Sequence, residues 1–182
     1  MHPIHCALGG FFGFVPRKRF EMTQSHYFAT LRERTMTKTK FTARQVLDAF
    51  YEAERRYMAA PPDERDFKSI AATLAPDIRM EQTSALPYAG IYVGPEGMQD
   101  WIRKMAGYFE IVDVQNPEVF EKDGSNRIVV LSQVHFKVRK TGEEMKFPFC
   151  QSMTVDLERG VIQEMRPFYW DVQAVNRALG FH

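Results

Sequence analysis

Two alternating segments of the chain each carry a polar side chain among apolar ones. Residues 144–157 alternate, and Gln151 is the single polar residue on their apolar face. Residues 77–82 alternate as well, which predicts a strand with Gln82 on its apolar face and Glu81 on the other. Glutamine can donate or accept a hydrogen bond but cannot exchange a proton, whereas glutamate is a competent base. A register slip of one residue would exchange Gln82 for Glu81, so both stay candidates.

A third polar group, Asp171, directly follows the last strand candidate, 161–170. A carboxylate at the mouth of an apolar pocket has its pKa raised by desolvation, which suits proton abstraction beside a carbonyl group. Asp171 is also well placed to cap the closing helix predicted over residues 172–179. Tyr57 and Tyr169 are candidate hydrogen-bond donors to a developing enolate, and each is equally suited to a core position.

Aromatic and methionine side chains predict an apolar wall around these groups. A flexible, polarizable wall of this kind fits a flat polycyclic ligand, although such residues more often form an ordinary core. The lining candidates are Trp101, Met105, Phe147, Phe149 and Met153. Alternation places His135 on the opposite, charged face of its strand, which makes it a weaker catalytic candidate.

Composition limits the classes of function. The chain has 182 residues and a formal net charge of +1, and residues 1–40 hold seven Lys/Arg against two Glu. The remainder is therefore mildly acidic, which argues against nucleic acid as a partner. Two cysteines and five scattered histidines predict no disulfide framework and no metal site. A reducing, cytoplasmic location is expected, with no membrane partner because the apolar run at 6–15 is too short to span a bilayer.

The order of elements predicts one α+β domain over residues 41–182, preceded by a basic, disordered extension at 1–40. Helical spacing from Thr42 ends at the proline pair 61–62, and a second helix is expected from Asp66 to Pro76. A third helix follows Pro95 and ends at Gly107. Four strand candidates at 108–121, 127–139, 144–157 and 161–170 are joined by turns. Helices followed by hairpin-linked strands indicate a curved antiparallel sheet covered by helices.

One strand face suggests self-association. Val129 and Leu131 lie on the face of the 127–139 strand that points away from its apolar side. A half-apolar outer face is typical of an interface rather than of bare solvent exposure. We therefore expect a homodimer that forms through the outer face of the sheet.

Two motifs resemble a known family. The stretch at 86–97 reads Leu-Pro-Tyr-x-Gly-x-Tyr-x-Gly-Pro-Glu-Gly, and Tyr169-Trp170-Asp171 precedes the final helix. With the order of elements, these motifs resemble the nuclear transport factor 2-like superfamily, and within it the SnoaL-like polyketide cyclases and ketosteroid-isomerase-related proteins. The resemblance covers about residues 41–180 and implies a cone-shaped sheet (a cystatin-like α+β barrel) wrapped around helices, with a pocket at the wide end.

The resemblance also implies site residues. Asp171 matches the acid/base aspartate of SnoaL-like cyclases, and Gln151 falls where those enzymes commonly carry a catalytic histidine. Gln82 falls where ketosteroid isomerases carry their general base. Tyr88 and Tyr92 would lie near the pocket mouth and contact substrate. The two glutamines depart from the family pattern and speak against steroid isomerisation.

The expected function is a cofactor-independent isomerase or cyclase that acts by acid–base chemistry on a hydrophobic, carbonyl-bearing polycyclic molecule of polyketide or terpenoid type, in biosynthesis or secondary metabolism. The alternative is a non-catalytic ligand-binding or dimeric assembly module on the same fold. Fold alone does not separate them. A pocket in which two or more ionisable side chains converge would favour the enzyme, whereas a filled or purely apolar cone would favour binding or assembly.

Overall fold

The structure is a computed structural model that describes residues 40–123 and 125–181. The predicted N-terminal extension therefore lies outside the described residues except for Lys40. No helix in the described part of the chain is both long enough and apolar enough to cross a membrane.

Helix α1 spans Ala43–Ala59 and begins as its sequence predicts. The Thr42 side chain accepts a hydrogen bond from the Gln45 backbone, while the Gln45 side chain accepts one from the Thr42 N–H at 2.9 Å. This reciprocal capping box satisfies two amide groups that a helix start leaves unpaired. The helix ends before the proline pair, and its apolar face packs onto the sheet.

The second helix is much shorter than its sequence predicts. Helix α2 spans only Lys68–Ala71, and strand β1 already begins before Pro76, as Leu74–Gln82. The prediction of a helix as far as Pro76 is wrong because Leu74 pairs with Ile162 of another strand, a contact between distant segments that overrides local helix propensity.

A short strand and the third helix follow. Strand β2 spans Gly90–Val93, and helix α3 spans Gly94–Tyr108 with proline in its first turn, as expected. The prediction that Gly107 caps this helix is wrong. The helix continues one residue further and passes without a loop into an extended Phe109, whose N–H still bonds to the Met105 carbonyl.

Four long strands and a closing helix complete the domain. They are β3 (Phe109–Glu121), β4 (Arg127–Val138), β5 (Glu144–Asp156), β6 (Val161–Tyr169) and α4 (Val172–Leu179). The register of β3 shifts between Gln115 and Glu118, and Asn116 between them has a φ of 51°, so this strand contains a bulge. Gly180 adopts the left-handed conformation that ends α4.

The six strands form one curved, unclosed sheet in the order β2-β1-β6-β5-β4-β3. All neighbouring pairs are antiparallel except β1 and β6, which are parallel. The parallel pair is possible because the whole of β2 to β5 separates the two strands in sequence. The predicted α+β class is confirmed.

The predicted faces of the strands are confirmed as well. On β4, Val130, Val134 and Phe136 are buried beneath the helices, while Val129 and Leu131 are exposed on the opposite face. The buried face of the sheet and the apolar faces of α1 and α3 enclose the core. The polar exceptions inside this core define the candidate site.

Candidate active site

A small cavity lies inside the core, between α1, α3 and the buried face of the sheet. Its free volume is about 20 Å³, which is room for one water molecule. Most of its wall is apolar, and four polar side chains reach it from three strands and one helix. The lining residues are Phe50, Glu54, Gln82, Trp101, Met105, Val112, Val114, Val134, Phe136, Phe149, Gln151, Met165, Pro167 and Tyr169.

Glu54 brings a carboxyl group to this cavity. It lies on the apolar face of α1, four residues after Phe50 and four before Met58, so the helix period turns it toward the core. Its side chain is buried, and no hydrogen bond reaches it from the described residues. Loss of hydration raises the pKa of Glu54 from 4.5 to about 8. The neighbouring Arg55 guanidinium lowers this pKa and the Asp113 carboxylate raises it, but both effects are smaller than burial.

Gln151 reaches the cavity from β5, as the alternation of that strand predicts. Its amide oxygen accepts a hydrogen bond from the Tyr51 hydroxyl of α1, and its amide nitrogen contacts the Met165 sulfur at 3.7 Å. Burial raises the pKa of Tyr51, so this hydroxyl keeps its proton at physiological pH. The contact orients the amide and ties α1 to the middle of the sheet.

Gln82 reaches the cavity from β1, and its amide nitrogen donates to the Tyr169 hydroxyl at 3.2 Å. Burial raises the pKa of Tyr169 to about 12. Two of the cavity-lining residues carry a buried polar atom with no hydrogen-bond partner in the described residues, namely Gln82 Oε1 and Trp101 Nε1. A buried donor or acceptor without a partner is costly, about 1–3 kcal/mol. A ligand with one acceptor and one donor would satisfy both.

Asp171 lies elsewhere. Its Oδ1 accepts a hydrogen bond from the Ala174 backbone N–H at 2.8 Å, and it forms the N-cap of α4. It is half-buried and does not line the cavity. Of the two roles considered for this residue, the geometry favours the helix cap.

The register of β1 is now clear. Gln82 is buried, whereas Glu81 lies on the opposite face with its side chain 42% exposed. Glu81 pairs with Arg166 at 3.1 Å and with Arg79 at 3.5 Å. The register slip that would have turned Glu81 inward does not occur, and the residue serves as an outer-face ion pair.

Five other predicted binding residues do not line the cavity, and one of them, Phe147 on β5, is a buried core residue. Tyr57 is buried under the Arg65 guanidinium, 5.7 Å from its ring centre. Tyr88 is fully buried among aromatic rings, and the Tyr92 hydroxyl donates to the Tyr88 carbonyl at 2.9 Å. Met153 is a core residue. The predicted residues that the structure brings together at the cavity are Gln82, Trp101, Met105, Phe149, Gln151 and Tyr169.

Tyr51 and Glu54 were not predicted as site residues, although both lie on α1 facing the cavity region. The signal for Glu54 was present, because a charged residue interrupts an otherwise apolar helical face. Among the described residues, no cluster of three or more His, Cys, Asp or Glu could hold a metal ion.

Residues 47–165 match the SnoaL-like domain family, which is well over half of the chain. The chain belongs to this family. The predicted membership of the nuclear transport factor 2-like superfamily is thereby confirmed. No curated protein is similar enough to this chain to count as a match.

Solved structures show the same fold at low identity. An NTF2-like protein of unknown function from Burkholderia pseudomallei has a TM-score of 0.61 at 23% identity, over 75% of this chain and 95% of its own. A protein with a ketosteroid isomerase-like fold from Catenulispora acidiphila, in complex with trimethylamine, has a TM-score of 0.60 at 12% identity, over 78% and 96%. A putative polyketide cyclase from Xanthomonas campestris has a TM-score of 0.58 at 18% identity, over 74% and 93%.

Proposed function

We propose that the protein is an acid–base enzyme of isomerase or cyclase type, and that Glu54 transfers a proton at a carbon atom beside a substrate carbonyl. The observation that carries the proposal is a buried carboxyl group in the wall of the interior cavity, to which no other described residue forms a hydrogen bond. Membership of the SnoaL-like family and the polyketide cyclase name of one structural neighbour support the same class of reaction.

Glu54 has the properties of a general base or acid near neutral pH. A group is most effective when its pKa lies near the working pH, and burial brings the pKa of this carboxyl to about 8. Below that pH the group is mostly protonated and can donate to a carbonyl oxygen. Above it the carboxylate can remove an adjacent proton. The assignment replaces Asp171, whose carboxylate is occupied in a helix cap.

The neighbouring groups supply orientation. Trp101 Nε1 is a buried donor that has no partner within the part of the chain described, and it would stabilise negative charge on a carbonyl oxygen. Gln82 Oε1 is the matching acceptor and would bind a hydroxyl group. Gln151 is held by Tyr51 and by Met165 and shapes the wall opposite α1.

The size of the cavity restricts the ligand. Drug-sized ligands occupy sites of roughly 300–1,000 Å³, whereas this cavity has a free volume of about 20 Å³. A polycyclic substrate therefore requires the wall to open, and Met105 and Met165 are the flexible side chains best suited to move. A small carbonyl compound requires less displacement.

Proton exchange in D₂O tests the proposal without knowledge of the natural substrate. The protein is incubated with a panel of small cyclic ketones, 2-oxo acids and polycyclic ketones, and loss of the α-proton signal is followed by NMR. We expect accelerated exchange for at least one compound, with a rate that increases as pH rises through about 8. Glu54→Gln should remove the acceleration.

Glu52→Gln is the matched control, because Glu52 lies on the same helix with its side chain 54% exposed and paired with Arg55. This variant should exchange like the wild type. Equal rates in the Glu54→Gln variant and the wild type would overturn the assignment of Glu54.

Non-catalytic binding is the second candidate. It is favoured by the two cavity glutamines, which cannot transfer protons, and by the small free volume. Ligand-induced chemical-shift changes at the cavity, with no exchange above the uncatalysed rate for any compound, would support it. The ketosteroid isomerase-like neighbour from Catenulispora was itself solved with a small molecule.

We also propose that two copies associate through the outer face of the sheet. Val129, Leu131 and Phe168 are exposed there by 39%, 45% and 55%, and the cross-strand register brings β4 and β6 to either side of β5. Light scattering should give twice the chain mass, and Leu131→Glu should return the mass to that of one chain.

A cytoplasmic location and a role in biosynthesis remain predictions of the sequence.

A further inference from the structure

An open groove lies beside the end of α1, along strands β3 and β4. It has a volume of about 650 Å³, and Val112 is part of its wall as well as of the cavity wall. Its lining combines apolar and charged side chains. The lining residues are Arg55, Met58, Ala59, Ala60, Pro61, Pro62, Arg65, Glu110, Ile111, Val112, Asp113, His135 and Arg139.

The charges in this groove are unevenly paired. Asp113 pairs with Arg55 at 3.4 Å, and Glu110 pairs with Lys137 at 3.2 Å. His135 contacts Glu144 at 3.0 Å. Both acidic groups of the groove thus have a cationic partner already.

Two arginines of the groove have no carboxylate partner among the described residues. Arg65 Nε donates to the Ala60 carbonyl at 3.2 Å. Arg139 donates from Nε to the Ala106 carbonyl at 2.9 Å and from Nη2 to the Phe109 carbonyl at 3.0 Å. Backbone carbonyls therefore orient both guanidinium groups without neutralising them.

Enough donors remain for a ligand. A guanidinium has five N–H groups in a rigid fork. Arg65 uses one of them and Arg139 uses two, so four and three remain. A guanidinium group that is already oriented by hydrogen bonds loses less conformational entropy when it binds a carboxylate or phosphate.

We propose that this groove binds the oxyanion, a carboxylate or phosphate, of a small molecule, with Arg65 and Arg139 as its partners and Met58, Ile111 and the proline pair against its apolar part. The oxyanion site does not depend on Glu54. The next step rests on the proposed function. Because Val112 is part of the walls of both the groove and the cavity, the substrate class that follows is an anionic carbonyl compound whose charged end stays in the groove.

Titration calorimetry at low salt tests the oxyanion site, with benzoate and inorganic phosphate as probes and benzamide as the uncharged control. We expect saturable binding of at least one anion and none of benzamide. Binding of benzoate alone identifies a carboxylate ligand, and binding of phosphate alone identifies a phosphate ligand. Added salt should weaken either interaction.

Arg65→Gln should weaken binding about tenfold, as expected for loss of a charge-assisted hydrogen bond. Arg139→Lys keeps the charge but not the fork and should also weaken binding, with less risk to folding than Arg139→Gln. Arg127→Gln is the matched control, since Arg127 lies at the other end of β4 and also has no carboxylate partner within the described residues. It should bind like the wild type.

The Glu54→Gln variant separates this inference from the proposed function. It should bind the anion normally even where α-proton exchange is lost. The oxyanion site is overturned if neither anion binds saturably, or if Arg127→Gln weakens binding as much as Arg65→Gln does.

Discussion

The raised pKa of Glu54 predicts a specific pH dependence of stability. Its carboxyl group titrates near 4.5 in the unfolded chain and near 8 in the folded protein. The folded state therefore binds more protons than the unfolded state between these two values. Stability contributed by the neutral carboxyl is fully present below pH 4.5 and is lost as pH rises through 8. A pKa difference of this size corresponds to about 5 kcal/mol as an upper value.

Glu54→Gln removes the titrating group at nearly constant shape. At pH 5 the free energy of unfolding of the variant should be close to that of the wild type. At pH 9 the two should differ more, because the wild type must then bury a charge. We expect the stability of the variant relative to wild type to rise by roughly 3–5 kcal/mol between these pH values. This is a large fraction of the free energy of unfolding of a typical domain, about 5–15 kcal/mol.

Urea unfolding followed by circular dichroism, at unit steps from pH 5 to pH 9, measures the effect. Any constant cost of burying a glutamine amide cancels in the comparison between pH values. The exposed Glu52→Gln variant should follow the wild type at every pH. Parallel stability curves for Glu54→Gln and wild type would show that Glu54 does not titrate near pH 8, and would remove the physical basis of its proposed role.

Three further substitutions test the surrounding structure. Tyr51→Phe leaves the buried Gln151 oxygen without its donor and should cost about 1–3 kcal/mol in urea unfolding. Asp171→Asn keeps a good helix cap, so stability should change by less than about 0.5 kcal/mol and α-proton exchange should persist; loss of exchange would instead restore the sequence-based assignment. Gly160→Ala places a methyl group 2.9 Å from the Phe41 ring. Gly142→Ala is the control, because Gly142 has a similar φ, +74° against +70°, but open space around it. Gly160→Ala should lower the free energy of unfolding by about 1–3 kcal/mol more than the control does, and equal losses would refute the close contact.

The strand predictions succeed because a strand has a period of two. Once one face of β5 is apolar, the side of every residue on it follows, and Gln151 must point inward. The same reasoning places Gln82 correctly on β1. The helix cap at Thr42 and the left-handed Gly180 are equally local, since each depends on residues within one turn.

Predictions that depend on distant contacts fail more often. The second helix is shortened because Leu74 pairs with a strand almost ninety residues later. Tyr88 and Tyr92 belong to a correct family motif, yet both are buried in the core, where the Tyr92 hydroxyl donates to the backbone carbonyl of Tyr88. A motif identifies the fold without stating which of its side chains meets the cavity.

By itself, the sequence determined the family, the order of the elements and the inward direction of Gln151, because periodicity and caps are local properties. The tertiary structure decided the register of β1, and with it the buried position of Gln82. Only the tertiary structure decided that Glu54 is the carboxyl group at the cavity and that Asp171 is a helix cap. The reason is desolvation. The pKa of a carboxyl depends on how completely the other elements remove it from water, and residues far apart in the chain supply that environment.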